Sequence, residues 1–509
     1  MRKPAFAIIA FLACVTSASA DNPKFHERGP NGIPGQYIVI LKDSFLLRNE
    51  KTADPTNRLH DQALTDGAIS NLRGRYHFTS RRTWTHVIRG FVMIATKDEA
   101  LRLAHDPSVL LVEQDARPDR MPQSATPSCN VSCTSNQAMP LNTRAFPTSP
   151  QSITCSSPDP GSLPACIDNW GLDRTDQASL PRDGSYVYSN NGAGVHVYVV
   201  DSGVLSTHRE LAGKIGQGYN ATCVGCNLDQ VLCNNHGTTV TSVIAGNTYG
   251  VARGVTIHPV QILRYCTQAE IDYRGYPPLN FCWEDANGLD PRVLLPSVST
   301  YVSAFNWVVQ HHAANPGPAV LNLSGANDPT FVGSLSFINA AKAVISSGVS
   351  FVQAAGNQND NACNYSVHQA DPSYNIADAI VVGGYTEIID GGLHNGRWAD
   401  STQACPTGDC GSNYGSCVDL FAPAQWVIGA GRWYDGNNPP AGYCYLTGTS
   451  LSAPHVTGAI ARYLQNHPTA APQQVKTALL NGAVLNVLQT SGTNGIGSGS
   501  PNKLLQFVP

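Results

Sequence analysis

Short apolar runs separated by helical stripes restrict this chain's fold more than any other feature of its sequence. Val195-His196-Val197-Tyr198-Val199-Val200 ends at Asp201, and Ala319 to Leu323, Ser350 to Ala354 and Ala379 to Val382 repeat the pattern. Val302, Phe305, Val308 and Val309 lie between the first two runs at helical spacing, and Ile338, Ala341, Val344 and Ile345 lie between the next two. Strands that are apolar along most of their length are buried on both faces. Alternating with helices, they predict an α/β fold with a mostly parallel central sheet between two helical layers. Functional residues in such a sheet gather beyond the carboxyl ends of its strands.

The N-terminus reads as a secretory signal over residues 1–20. Arg2 and Lys3 precede the apolar run Ala5 to Val15, and Ala18-Ser19-Ala20 supplies small residues before a cut at Asp21. That run is shorter than the roughly 20 apolar residues a bilayer span needs, and no later segment reaches that length, so a secreted, extracellular protein without a membrane anchor is expected. Of 15 cysteines, Cys14 leaves with the signal. The even remainder, in an exported chain, favours disulfides without fixing their pairing. Thirty-two Lys and Arg against 36 Asp and Glu leave a formal charge of -4, which argues against a nucleic-acid partner.

Strand patterns at Tyr37 to Leu41, Phe91 to Ala95 and Val109 to Val112, with a helical stretch near Asp98 to His105, mark residues 21–120 as a small α+β unit. Residues 121–166 lack periodicity and are rich in Pro, Ser, Thr and Cys, as in a linker or N-terminal extension. Residues 167–509 hold the α/β pattern.

Three segments carry chemistry. Asp201-Ser202-Gly203 follows a strand, His236-Gly237-Thr238 opens a helix-like run, and Gly448-Thr449-Ser450-Leu451-Ser452-Ala453-Pro454-His455 opens another. Each alone is common, but in this order the combination resembles the subtilisin-like serine proteases, and within them the proteinase-K-like branch that includes the aqualysins. The likeness extends to Ile33-Pro34-Gly35-Gln36-Tyr37-Ile38-Val39 and Val112-Glu113-Gln114-Asp115 in an inhibitory propeptide. In the peptidase domain it runs from Trp170-Gly171-Leu172-Asp173 to the segment Gly499 to Leu505.

The resemblance implies a secreted serine endopeptidase made as a preproenzyme, with protein or peptide substrates and no catalytic cofactor. Ser450 would be the nucleophile, His236 the general base and Asp201 the residue that orients it. Asn357, with the backbone at Ser450, would form the oxyanion hole. Leu323, Ser324, Gly325 and Ala326 would border the substrate on one side, with Ala354 and Gly356 on the other, in a pocket for a neutral aromatic or aliphatic residue before the cut. Two departures stand out. Gly325-Ala326-Asn327 replaces a hydrophobic residue followed by paired glycines, and Thr239 replaces a second histidine. Insertions appear around Thr267 to Thr300 and Trp398 to Cys410.

The likeness to aqualysins also implies disulfides Cys233–Cys266 and Cys363–Cys417, structural Ca²⁺ with unnamed ligands, and a monomer. Its propeptide would act as an intramolecular inhibitor, cleaved between about residues 117 and 128. Two rival readings remain. Cys223, Cys226, Cys233 and His236 have zinc-like spacing, although His236 could not easily be both ligand and base. A catalytically silent exported binding or surface protein could also keep the fold.

Overall fold

The computed structural model describes residues 22–43, 58–118, 169–222, 228, 236–265, 293–389, 393–400, 402–404, 410–431 and 442–506. The expected signal, the 121–166 linker, most of the 267–300 insertion, and Cys223, Cys226, Cys233 and Cys266 lie outside the described residues.

The N-terminal unit runs β1 (Phe25–His26), β2 (Gly32–Leu41), α1 (Arg58–Arg73), β3 (Thr79–Trp84), β4 (Gly90–Ile94), α2 (Lys97–Ala104) and β5 (Val109–Ala116). Its sheet has the order β1-β5-β2-β4-β3, antiparallel except for the β1–β5 pair. Side chains alternate across a strand, so β2 divides its apolar residues between two faces. Tyr37, Val39 and Leu41 join Phe91 and Met93 against Ile69 and Leu72 of α1 and Leu103 of α2. Ile38 and Ile40, with Trp84, Val92 and Leu111, belong to the same apolar cluster as the core of the larger unit. The two units therefore meet through a sheet face, not through a tether alone.

The larger unit begins with α3 (Trp170–Thr175), β6 (His196–Asp201), β7 (Tyr219–Asn220), α4 (His236–Ala245) and β8 (Thr256–Gln261). A two-stranded ribbon, β9 (Arg264–Tyr265) and β10 (Val293–Leu294), leads to α5 (Val298–Ala314) and β11 (Ala319–Leu323). Next come α6 (Pro329–Val332), α7 (Leu335–Ser346), β12 (Ser350–Ala354), β13 (Ile380–Ile389), β14 (Leu393–Arg397) and β15 (Leu420–Pro423). The hairpin β16 (Val427–Gly431) and β17 (Gly442–Leu446) precedes α8 (Thr449–Asn466), α9 (Pro472–Gly482), β18 (Val484–Leu485) and β19 (Lys503–Leu504).

The central sheet has the order β18-β19-β15-β13-β12-β11-β6-β8-β7, with β14 beside β13. Only the β13–β14 and β18–β19 pairs are antiparallel. The apolar runs of the sequence are these inner strands. On one face Tyr198, Val200, Leu321 and Phe351 pack with Val302, Phe305 and Val308 of α5 and Phe337, Ile338 and Val344 of α7. On the other, Val197, Val199, Val320 and Val352 pack with Val240 and Ile244 of α4 and Val456, Ile460 and Leu464 of α8. Each such buried side chain contributes about 1.5–3 kcal/mol. α5 starts at Val298, so the last residues of the 267–300 insertion are helical. Ser297, just before the helix, bonds through Oγ to Thr300 Oγ1 (3.2 Å).

Candidate active site

Asp201 is the last residue of β6, at the carboxyl edge of the sheet, and His236 is the first residue of α4. His236 Nδ1 lies 2.8 Å from Asp201 Oδ1 and 3.1 Å from Oδ2. A carboxylate at this distance favours the tautomer that carries its proton on Nδ1. Ser202 N–H donates to Asp201 Oδ1 (2.6 Å), and Gly237 N–H donates to Ser202 Oγ (3.0 Å), tying the strand end to the helix start. The approach is so close that a Cβ on Gly237 would lie 2.3 Å from Gly203 O and 3.0 Å from Asp201 Oδ1. Only glycine fits beside the histidine.

Ser450 is the second residue of α8, entered through Gly448 at φ +149°. Its Oγ donates to Ser324 O (3.0 Å), and Ser324 Oγ donates to Ser450 O (2.9 Å). Asn322 Nδ2 supports Ser324 Oγ (2.9 Å), and Thr457 Oγ1, farther along α8, supports Asn322 Oδ1 (2.9 Å). This ladder pins the helix to the end of β11, where Leu323, Ser324, Gly325 and Ala326 lie.

Asn357 follows β12. Its Oδ1 accepts from Thr449 N (2.9 Å) and Thr449 Oγ1 (2.8 Å), which fixes the amide. Thr449 Oγ1 also accepts from Gly356 N (3.0 Å). Backbone N–H groups in the first turn of α8 lack intrahelical acceptors, and the positive helix end reinforces them. Beyond the paired ends of β11 and β12, Gln353 Nε2 donates to Ala326 O (3.5 Å), so the Leu323–Ala326 and Ala354–Gly356 segments leave neighbouring strands side by side. Ala326 has φ +63°, a left-handed conformation where glycine is usual, and Gly356 has φ +98°.

Thr449 belongs to the serine motif, but its role, like those of Asn322 and Thr457, arises from contacts between distant segments and is not visible in the sequence. Thr239, noted as a departure, donates through Oγ1 to Ala430 O (2.8 Å) and packs α4 against β16. Cys363 and Cys417 are joined in a disulfide across 54 residues. Among the described residues no group of three or more His, Cys, Asp or Glu side chains is placed to hold a metal, and no helix is long and apolar enough to cross a membrane.

The N-terminal unit is docked by its carboxylates. Glu113 Oε2 accepts from Ser334 Oγ (2.9 Å) and Ser336 N (3.0 Å) at the start of α7. Asp115 Oδ1 accepts from Ser299 N (3.0 Å) at the start of α5. Trp84 Nε1 donates to Ser303 Oγ (2.9 Å), and Asn306 Oδ1 accepts from the backbone of Thr85 and His86.

A profile of the subtilase family matches residues 192–503. The chain belongs to the subtilase family. Residues 36–118 of this subtilase match the peptidase inhibitor I9 profile, so it is a subtilisin-like serine endopeptidase carrying an inhibitory propeptide unit. The subtilase is 33% identical to an extracellular serine proteinase of Thermus sp. (strain Rt41A), over 98% of this chain and 96% of the relative, which accords with a secreted protein. It is 30% identical to alkaline serine exoprotease A of Vibrio alginolyticus, over 93% of this chain and 67% of that one. The crystal structure of fervidolysin from Fervidobacterium pennivorans, a keratinolytic enzyme related to subtilisin, has a similar fold. It aligns at TM-score 0.56 and 19% identity, over 95% of this chain and 62% of its own.

Proposed function

We propose that this subtilase is a proteinase-K-like preproenzyme that hydrolyses peptide bonds through Asp201, His236 and Ser450. The observation that carries the reading is the bracketing of His236 Nδ1 by the Asp201 carboxylate, which prepares Nε2 as a base. On substrate binding Ser450 Oγ turns from Ser324 O and gives its proton to Nε2 as it attacks the carbonyl. The oxyanion forms against Asn357 Nδ2 and the start of α8. Nε2 then protonates the leaving amine, and water releases the acyl group by the reverse exchange. A neutral side chain precedes the cut, between the walls ending in Ala326 and Gly356.

Calcium belongs to the same proposal, as an oxygen-bound structural ion. Asp176 Oδ1, buried and without a hydrogen-bond partner, is one oxygen that such an ion would take.

Intact mass and casein cleavage of the exported protein, beside Ser450→Ala, test the reading. Wild type is expected to begin at Asp21 on export, then to lose the remainder up to a point between residues 117 and 128 and to cut casein. The variant should keep its propeptide and cut nothing. Equal masses and no cleavage by either folded protein would favour the silent binding protein instead.

A further inference from the structure

Asn327 crosses the gap between the two walls of the proposed substrate pocket. It follows Ala326 on one wall, and its Nδ2 donates to the carbonyl oxygen of Ala354 on the other, as well as to Tyr365 O (3.4 Å). A Cβ built on Gly356 would stand 3.2 Å from the Asn327 Cβ and closer still to Asn413 Nδ2 (2.5 Å) and Gln358 Oε1 (2.6 Å), so the facing wall is closely packed beside this side chain. Asn327 is 7% exposed and Tyr365 9%. The crossing follows the left-handed turn at Ala326.

A glycine at this position would leave the space between the walls open. An asparagine fills it with an amide tied to two backbone carbonyls. The amide cannot swing aside for an incoming ring without stranding buried acceptors, and the packed walls around it have no slack to widen. Asn327 therefore sets the depth of the pocket, whereas Ser450, His236 and Asn357 set the chemistry.

We infer that Asn327 is a specificity-determining residue that closes the pocket floor and restricts the position before the cut to short neutral side chains, alanine or serine. The aromatic and long aliphatic side chains expected from the sequence are excluded. The inference rests on the proposed reading of Ser450 as nucleophile and of these two segments as pocket walls.

The test uses mature wild type, Asn327→Gly and Asn327→Ser, each counted by fluorophosphonate labelling of its active serine. Each is assayed on two peptidyl p-nitroanilides that differ only in ending in Ala or Phe. Wild type is expected to favour the Ala substrate by at least about tenfold in kcat/KM, the scale on which a filled or emptied pocket discriminates. Asn327→Gly should shift that ratio toward Phe by at least about tenfold, and Asn327→Ser, too short to bridge the walls, in the same direction by less. A wild type that favours Phe would overturn the inference. So would variants that label normally yet keep the wild-type ratio. Folded wild type that neither labels nor cuts either substrate would instead overturn the nucleophile assignment, and this inference with it.

Discussion

Asn357 has one amide and two tasks. Its oxygen is held by both polar groups of Thr449, and in the proposed mechanism that anchoring would present its nitrogen to the charge that develops during attack. An anchored donor needs no reorganisation as the oxyanion forms, so its contribution falls on the transition state and not on substrate binding. Asn357→Leu is expected to lower kcat by about 10²–10³, with KM changed by only a few-fold, in steady-state assays on a peptide substrate. A raised KM with kcat intact would instead make Asn357 a ground-state contact. Sequence motifs marked both Asn357 and Thr449 but not their bond, because the two lie 92 residues apart and only the fold brings them together. Asn327 is the converse case. Its identity was visible as a departure from paired glycines, while its meaning required knowing where its amide points.

Helix starts are the recurring device at the next scale. The first-turn N–H groups of α5, α7 and α8 have no acceptors within their own helices. In α8 the Thr449 N–H is taken by Asn357 Oδ1, whereas in α5 the Ser299 N–H and in α7 the Ser336 N–H are met by Asp115 and Glu113 of the inhibitory unit. Carboxylates suit this position because the helix end is positive. In a Ser450→Ala precursor, where the propeptide stays attached, Glu113→Ala is expected to weaken the docking by about 0.5–2 kcal/mol, the usual worth of a cap. The Ser336 amide should then exchange hydrogen several-fold faster, while an unchanged rate would show that this contact is incidental. The inner strands of the large sheet were legible because burial on both faces forces apolar residues at nearly every position. The edges were less so: β2 begins at Gly32, ahead of its apolar run, because its early residues bond at the margin of the sheet. α5 begins at Val298, inside the stretch expected to be an insertion, because Ser297 Oγ meets Thr300 Oγ1 at its start and Val302, Phe305 and Val308 pack it onto the sheet.

At the scale of the whole molecule, the division into a small inhibitory unit and a large α/β unit follows from strand composition, but the electrostatic state of a buried carboxylate does not. Asp176 owes its environment to chain that returns at Val187 and to α8, and these meet it only after folding. Burial pushes its carboxyl up to about 7 from an ordinary 3.8, with Asp183 adding to the rise and the Val187 N–H and Arg462 opposing it. Because the folded pKa is the higher, the native state binds this proton more tightly than the unfolded chain. Stability from this group is full below about pH 4 and is lost as pH rises toward 7, the opposite of a salt-bridged carboxylate. A bound Ca²⁺ would supply the missing charge and cancel that loss. Urea midpoints of the Ser450→Ala protein, measured between pH 4.5 and 8 with chelator and with calcium, separate the terms once Asp176→Asn is measured beside it. In chelator, stability should fall with pH more steeply when Asp176 is present than in the Asn variant, and calcium should close the difference. Parallel profiles in chelator would show that Asp176 does not titrate in this window. A difference that persists in saturating calcium would place the ion elsewhere.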